Sequence, residues 1–142
     1  NFSVDTDTEG CNRLSQDHWL SAMGEKLHLQ NMFSNLVRNA IEASPHDNEV
    51  TLQVCCRENE IVVDIHNYGV IPEDIRDNFF DRYVTSGKSN GTGIGTYIAK
   101  LIVQLHKGDI TFTTDKQDGT HVIVTLPRDP RSGAPFSSEN EV

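Results

Sequence analysis

The sequence has no run of about eighteen apolar residues, so nothing in it reads as a helix able to cross a membrane. Its first residues, Asn1 to Thr6, are polar and lack the basic-then-apolar pattern of a secretion signal. Basic residues are also in short supply: 12 Lys and Arg stand against 21 Asp and Glu, for a net charge of −9. Surfaces for nucleic acid or anionic lipid reward clustered cations, and this balance argues against both. The three cysteines are few and odd in number, and Cys55 and Cys56 are adjacent instead of spaced as CxxC. No disulfide framework and no thiolate metal site is therefore expected. The reducing cytoplasm is the expected compartment, whether for a free protein or for the cytoplasmic part of a membrane-anchored one. His18, His28, His46, His66, His106 and His121 show no metal-ligand spacing such as HxxxH, so all are expected to be structural.

What the chain does have is periodicity. Its 142 residues suffice for one domain with a real core. Residues 1–22 give mixed signals and no firm assignment beyond a short initial strand. From Glu25 to Ser44, Leu29, Met32, Phe33, Leu36, Val37, Ala40 and Ile41 recur at three and four, which predicts a helix with one buried stripe, ended by Pro45. Val50, Leu52, Val54 and Cys56 alternate with polar neighbours, and Ile61, Val63 and Ile65 alternate again, a β-hairpin pattern. Pro72 followed by Glu73 and Asp74 predicts a short helix, and Thr85 to Gly91 a loop without apolar anchors. Ile94, Ile98, Leu101, Ile102 and Leu105 form the expected stripe of a second long helix, stopped near Lys107 and Gly108. Ile110 and Phe112, then Val122, Val124 and Leu126, predict two closing strands around an Asp118-Gly119 turn. The pattern implies an α/β sandwich: a mixed, largely antiparallel sheet with helices on one face. Residues 1–127 are read as this single domain. Residues 128–142, with prolines, serines and no periodicity, are read as a disordered tail or linker.

The chemistry lies in a few positions. Asn35 and Asn39 are four apart, hence stacked on one helix face at the border of the apolar stripe. Helix interiors disfavour Asn, so the pair carries a propensity cost that needs a reason. An amide oxygen is a hard, neutral ligand suited to Mg²⁺, which keeps several waters and shares phosphate oxygens. Gly91, Gly93 and Gly95 alternate just before the second long helix, where bare backbone lets amides approach an anion and the helix N-terminus faces it. Lys88, in the preceding loop, is the candidate phosphate cation. Between these motifs stand His66-Asn67-Tyr68-Gly69, then Phe79-Phe80-Asp81-Arg82-Tyr83; Gly119-Thr120 follows them.

In this order the five landmarks resemble the nucleotide-binding domain of sensor histidine kinases, in the GHKL ATPase superfamily, over Gly24 to Pro127. The resemblance implies a Bergerat-type fold, with ATP and Mg²⁺ as cofactors. It implies Asn39 as metal ligand and Asn35 as its phosphate-side neighbour, with Lys88 completing the catalytic group. It places Asn67, Gly69 and Thr120 on the adenine side, and Tyr83, Gly91, Thr92, Gly93, Ile94 and Gly95 around the nucleotide. Phe80 and Tyr83 correspond to the aromatic box that packs a lid against the body. The implied reaction is donation of the γ-phosphoryl group to a histidine of a dimerisation domain that this chain lacks, with a response regulator downstream, in two-component signal transduction. No contact with nucleic acid or directly with membrane is implied.

Three positions depart from the family pattern. Asn67 replaces the aspartate that meets the adenine amine, and a neutral acceptor forfeits charge assistance. Val70 falls where a second glycine is expected, and Glu42 where many relatives carry a cation. An impaired nucleotide-binding relay module is accordingly the alternative function. Gyrase-like, mismatch-repair and chaperone relatives carry a water-orienting glutamate at the position of Asn35, which cannot accept that proton. Hydrolysis is disfavoured on that ground, as is the further alternative, an anti-sigma-type serine kinase.

Overall fold

The computed structural model describes residues 2–5, 25–85 and 92–128. In chain order the elements are β1 (Phe2–Asp5), α1 (Lys26–Ala43), β2 (Val50–Cys56), β3 (Glu60–Asn67), a 3₁₀ segment (Glu73–Asn78), α2 (Gly95–Leu105), β4 (Asp109–Asp115) and β5 (Gly119–Pro127). They build a five-stranded sheet in the order β1-β2-β3-β5-β4, with β1 parallel to β2 and every other pairing antiparallel. The mixed, largely antiparallel sheet expected from the alternating strands is the one observed.

Strand alternation decides the layers. Along β3, Ile61, Val63, Ile65 and Asn67 are buried, and along β5 so are Thr120, Val122, Val124 and Leu126. Both helices cover this face: Met32, Leu36 and Ala40 of α1 and Ala99, Ile102 and Val103 of α2 join the strand residues in one apolar core. At the far end of β2, Arg57 N–H bonds the Glu60 carbonyl at 2.8 Å and the two side chains pair at 2.8 Å, which closes the hairpin. Arg128, the first residue of the expected tail, is still held by its N–H on the Asn59 carbonyl at 2.9 Å. The remainder of that segment, 129–142, lies outside the described residues.

Two stripe assignments need correction. Ile41 is 56% exposed, and on α2 Leu101 and Leu105 are 40% and 75% exposed while Ala99 and Val103 are fully buried. Leu101 stands two residues from Ala99, about 200° around the helix, so both cannot face the sheet. The small Ala99 wins because it lets α2 approach closely. Hydrophobicity alone favours the larger leucines and misphases the stripe. A third correction concerns Cys55, which is disulfide-bonded, whereas its neighbour Cys56 is a buried free thiol. Sequence spacing is silent on this, because pairing depends on how closely two Cα atoms approach in the fold.

The β4–β5 connection is held by Asp115, whose Oδ1 accepts the Asp118 N–H at 2.7 Å and the Gln117 N–H at 2.8 Å. These bonds, the one from Asp118 first, keep its carboxyl below the ordinary carboxylate range. Gly119 follows at φ +85°, with its α-carbon so near the Asn67 carbonyl oxygen that a Cβ has no room. The end of β3 and the start of β5 are thereby clamped together.

Candidate nucleotide-binding site

The clamp positions Asn67 beside Thr120, its register partner, both on the helix-covered face. Asn67 is 3% exposed, and its Oδ1 accepts the Gly69 N–H at 2.8 Å, turning the chain sharply away from the strand. A relay of hydroxyls fixes the rest of that turn. Ile71 N–H bonds Thr114 Oγ1 at 3.0 Å, Thr114 Oγ1 lies 2.8 Å from Thr120 Oγ1, and Thr120 O–H donates to the Gly69 carbonyl at 2.8 Å. Since Thr120 has one proton and gives it to Gly69, Thr114 is the donor between the two hydroxyls. Gly69 itself lies against the last turn of α1, with the Ala43 carbonyl oxygen where a Cβ would sit. Asn67, Gly69, Ile71 and Thr120, floored by Leu36 and Ala40, line a narrow cavity of about 50 Å³.

A wider chamber of about 380 Å³ adjoins it, walled by Asn35 and Asn39 on one side and Thr92, Gly93, Ile94 and Gly95 on the other. Asn39, Ile75 and Phe79 line both cavities. Gly93 takes φ +64°, and a Cβ there would come within 2.6 Å of the Tyr83 carbonyl carbon. Only glycine accommodates both constraints without strain. The Gly93 carbonyl accepts the Tyr83 N–H at 2.9 Å, so the two ends of the intervening loop are tied at its root. Gly95 opens α2, directing that helix's N-terminus and its unpaired amides at the chamber. Buried Thr96 Oγ1 reaches the Phe79 carbonyl at 3.3 Å, and Phe79, Phe80 and Phe112 pack edge to face, which seats the loop root on the body.

The site residues named from the sequence thus meet in two connected chambers. Asn67, Gly69 and Thr120 frame the narrow one, and Asn35, Asn39, Thr92, Gly93, Ile94 and Gly95 the wide one. Tyr83 borders neither: its ring is 62% exposed, under the Arg82 guanidinium at 4.6 Å. Lys88 and Gly91 lie outside the described residues. Sequence reasoning missed Arg38, which lines the wide chamber beside Glu42, and Thr114, which orients Thr120. Arg38 was legible as the cation three residues from Asn35, on the same helix face. Thr114 carried no signal, because a threonine in an expected strand is by itself unremarkable, although the closing hairpin that pairs it with Thr120 was expected.

Residues 24–130 match the family model described as histidine kinase-, DNA gyrase B- and HSP90-like ATPase. The chain belongs to this family. Among its relatives, the heme sensor protein HssS of Staphylococcus haemolyticus is 35% identical over 106 residues, covering 73% of this chain and 23% of that protein. The sensor histidine kinase WalK of Bacillus subtilis is 33% identical over 104 residues, 68% of this chain and 17% of that one. The chain therefore spans about a quarter or less of the length of these curated relatives. The catalytic domain of histidine kinase ThkA superposes with a TM-score of 0.72 at 25% identity, over 90% of this chain and 80% of that one. The mycobacterial sensor histidine kinase MprB has the same fold, with a TM-score of 0.73 at 23% identity, over 91% of this chain and 82% of that one. Within the ATP-binding family, this is a catalytic domain of the sensor histidine kinase type.

The two family glycines that face the wide chamber differ in a testable way. A Cβ on Gly95 would meet only Asn35, at an ordinary 3.7 Å, so Gly95→Ala is expected to leave the thermal midpoint unchanged or slightly raised, alanine being the better helix former. The added methyl stands where an anion would approach the helix N-terminus. ATP affinity by calorimetry is expected to fall on the order of tenfold, the worth of about one strong hydrogen bond.

Proposed function

We propose that this domain binds ATP with Mg²⁺ and donates the γ-phosphoryl group to a histidine on a dimerisation domain of its parent protein, with a response regulator receiving the phosphoryl group next. The observation that carries the reading is the meeting of two chambers of different chemistry at Asn39: a narrow one with a buried amide acceptor, sized for a planar base edge, and a wide one between a helix N-terminus and an asparagine pair. Asn67 Oδ1 retains a second lone pair beyond the one given to Gly69, and this is the acceptor offered to the adenine amine. Thr120 acts by fixing Gly69, its single proton being used there.

In the wide chamber, Asn39 has the amide oxygen suited to Mg²⁺, and no hydrogen bond to another described residue competes for it. The ion would supply charge neutralisation across the phosphates. The backbone of Gly93 to Gly95 and Arg38 at the rim bind and orient them; the family resemblance adds Lys88, which lies outside the described residues. Asn35 donates to Asn31 Oδ1 at 3.4 Å and offers no carboxylate to take a proton from water. That arrangement supports transfer to a protein nucleophile over hydrolysis. The domain as proposed comprises residues 1–127 followed by a disordered tail or linker, and works on the cytoplasmic side.

Titration of the chain with ATP, with and without Mg²⁺, tests the reading, since binding in the narrow cavity requires only the base while binding in the wide one requires the metal. ADP and ATP are expected to bind, ATP more tightly with Mg²⁺; no nucleotide binding in either condition refutes the proposal. Asn67→Asp sharpens the test. It keeps the 2.8 Å bond to Gly69 and adds charge to the acceptor, so ADP is expected to bind a few-fold to about tenfold more tightly. An unchanged or weaker ADP affinity removes Asn67 from the adenine contact.

A further inference from the structure

On the sheet face away from the helices, directly behind Asn67 and Thr120, strand alternation places His66 of β3 opposite His121 of β5. Their rings stack with centroids 4.3 Å apart. The turn before β5 brings Asp118 onto the same pair: Asp118 Oδ2 lies 2.8 Å from His121 Nε2 and Asp118 Oδ1 3.9 Å from His66 Nε2. One ligand atom from each of the three residues can be chosen so that all lie within 4.8 Å of one another. His121 is also oriented from behind, its Nδ1 lying 2.9 Å from Asp64 Oδ2.

We infer that His66, Asp118 and His121 form a binding site for a divalent transition metal of the Zn²⁺ class, independent of the nucleotide site. Two imidazoles and one carboxylate are the donor set of zinc, and three protein ligands leave a fourth position open to water. Asp64 backs His121 on the side away from Asp118. A carboxylate that accepts from Nδ1–H fixes the tautomer whose Nε2 lone pair faces the metal, the arrangement that accompanies most metal-bound histidines. The ligands are also held before any ion arrives. The His66 side chain is 14% exposed and that of His121 25%, the Tyr68 ring packs edge-on against His66 at 4.8 Å, and Asp118, 65% exposed, leaves a solvent path to the site. Without metal, His66 Nε2–H donates to the Asp118 carbonyl and His121 Nε2–H to Asp118 Oδ2; ligation requires both Nε2 atoms to give up their protons, each ring keeping the proton on Nδ1. Mg²⁺, a hard ion that takes oxygen ligands, is not suited to this set. Metal spacing could not reveal the site from the sequence, because two of its ligands are 55 residues or so apart and meet only through the β3–β5 register.

The test is calorimetric titration of the full chain with zinc chloride, with histidine ¹⁵N NMR as the second readout and MgCl₂ as the comparison ion. One Zn²⁺ per chain is expected, shifting the ring signals of His66 and His121 and not those of the other histidines, with no matching response to Mg²⁺. His121→Ala abolishes the site. Asp118→Asn and the positioning variant Asp64→Asn each weaken it by about 10- to 100-fold. Should the alanine variant fail to fold, the ring signals of the unmodified chain decide alone. Zn²⁺ that binds without perturbing His66 and His121, or with an affinity that Asp118→Asn leaves intact, or only at millimolar concentration, overturns the assignment.

Discussion

Asn39→Ala is expected to lower Mg²⁺-dependent phosphoryl transfer to a histidine-bearing dimerisation domain by about 100-fold or more, the range seen when a group stabilising transition-state charge is removed. The folded state should not suffer. Asn39 is half-buried at the junction of the two cavities, outside the apolar core that Leu36 and Ala40 join from the same helix. Alanine is the better helix former by about 0.5 kcal/mol, so the thermal midpoint is expected to hold or rise slightly. ADP binding without Mg²⁺ should change little if, as proposed, Asn67 and not Asn39 meets the base edge. Calorimetry with and without Mg²⁺, alongside a thermal melt, separates these effects. A variant that melts early yet responds normally to Mg²⁺ would show that Asn39 is structural. Arg38→Ala offers a graded comparison, since a rim cation contributes charge without holding the ion.

The sequence made the sheet legible because its strands are buried on one face only. Ile61, Val63 and Ile65 alternate cleanly, and a register slip of one residue would turn all three outward. The helices were legible as helices; the stripe of α1 was in phase except at Ile41, and that of α2 only at Ile98 and Ile102. On α2 nearly every position from Ile98 to Leu105 is apolar or small, so several stripes fit the pattern, and only contact with the sheet selects Ala99 and Val103 over Leu101 and Leu105. In the site, residues whose chemistry is local to one motif could be named from spacing: the asparagine pair on one helix face, and the glycines ahead of α2. Residues that act across the sheet could not. His66 meets His121 only through the β3–β5 pairing. Cys55 belongs to the same class, its disulfide being a fact of proximity and not of spacing.

Gly69→Ala is expected to damage the narrow nucleotide cavity and the fold together. The new Cβ would fall on the Ala43 carbonyl oxygen and within 2.9 Å of Asn67 Oδ1, the first a backbone atom of α1 that cannot rotate away. Either the end of α1 or the 68–71 turn must move. Moving the turn lengthens three bonds together, from Gly69 N–H to Asn67, from Thr120 to the Gly69 carbonyl and from Ile71 N–H to Thr114. Overpacking of this kind costs about 1–3 kcal/mol, equivalent to a fall of roughly 4 °C in midpoint per kcal/mol for a domain of this size. The adenine edge is lost with the turn, so ADP affinity should drop with stability, whereas Gly95→Ala is expected to spare both ADP binding and the melt and to weaken only the triphosphate. Normal melting and normal ADP affinity in Gly69→Ala would mean that α1 yields at Ala43 without disturbing the turn, and that the hydroxyl relay, not the glycine, sets the width of the base cavity.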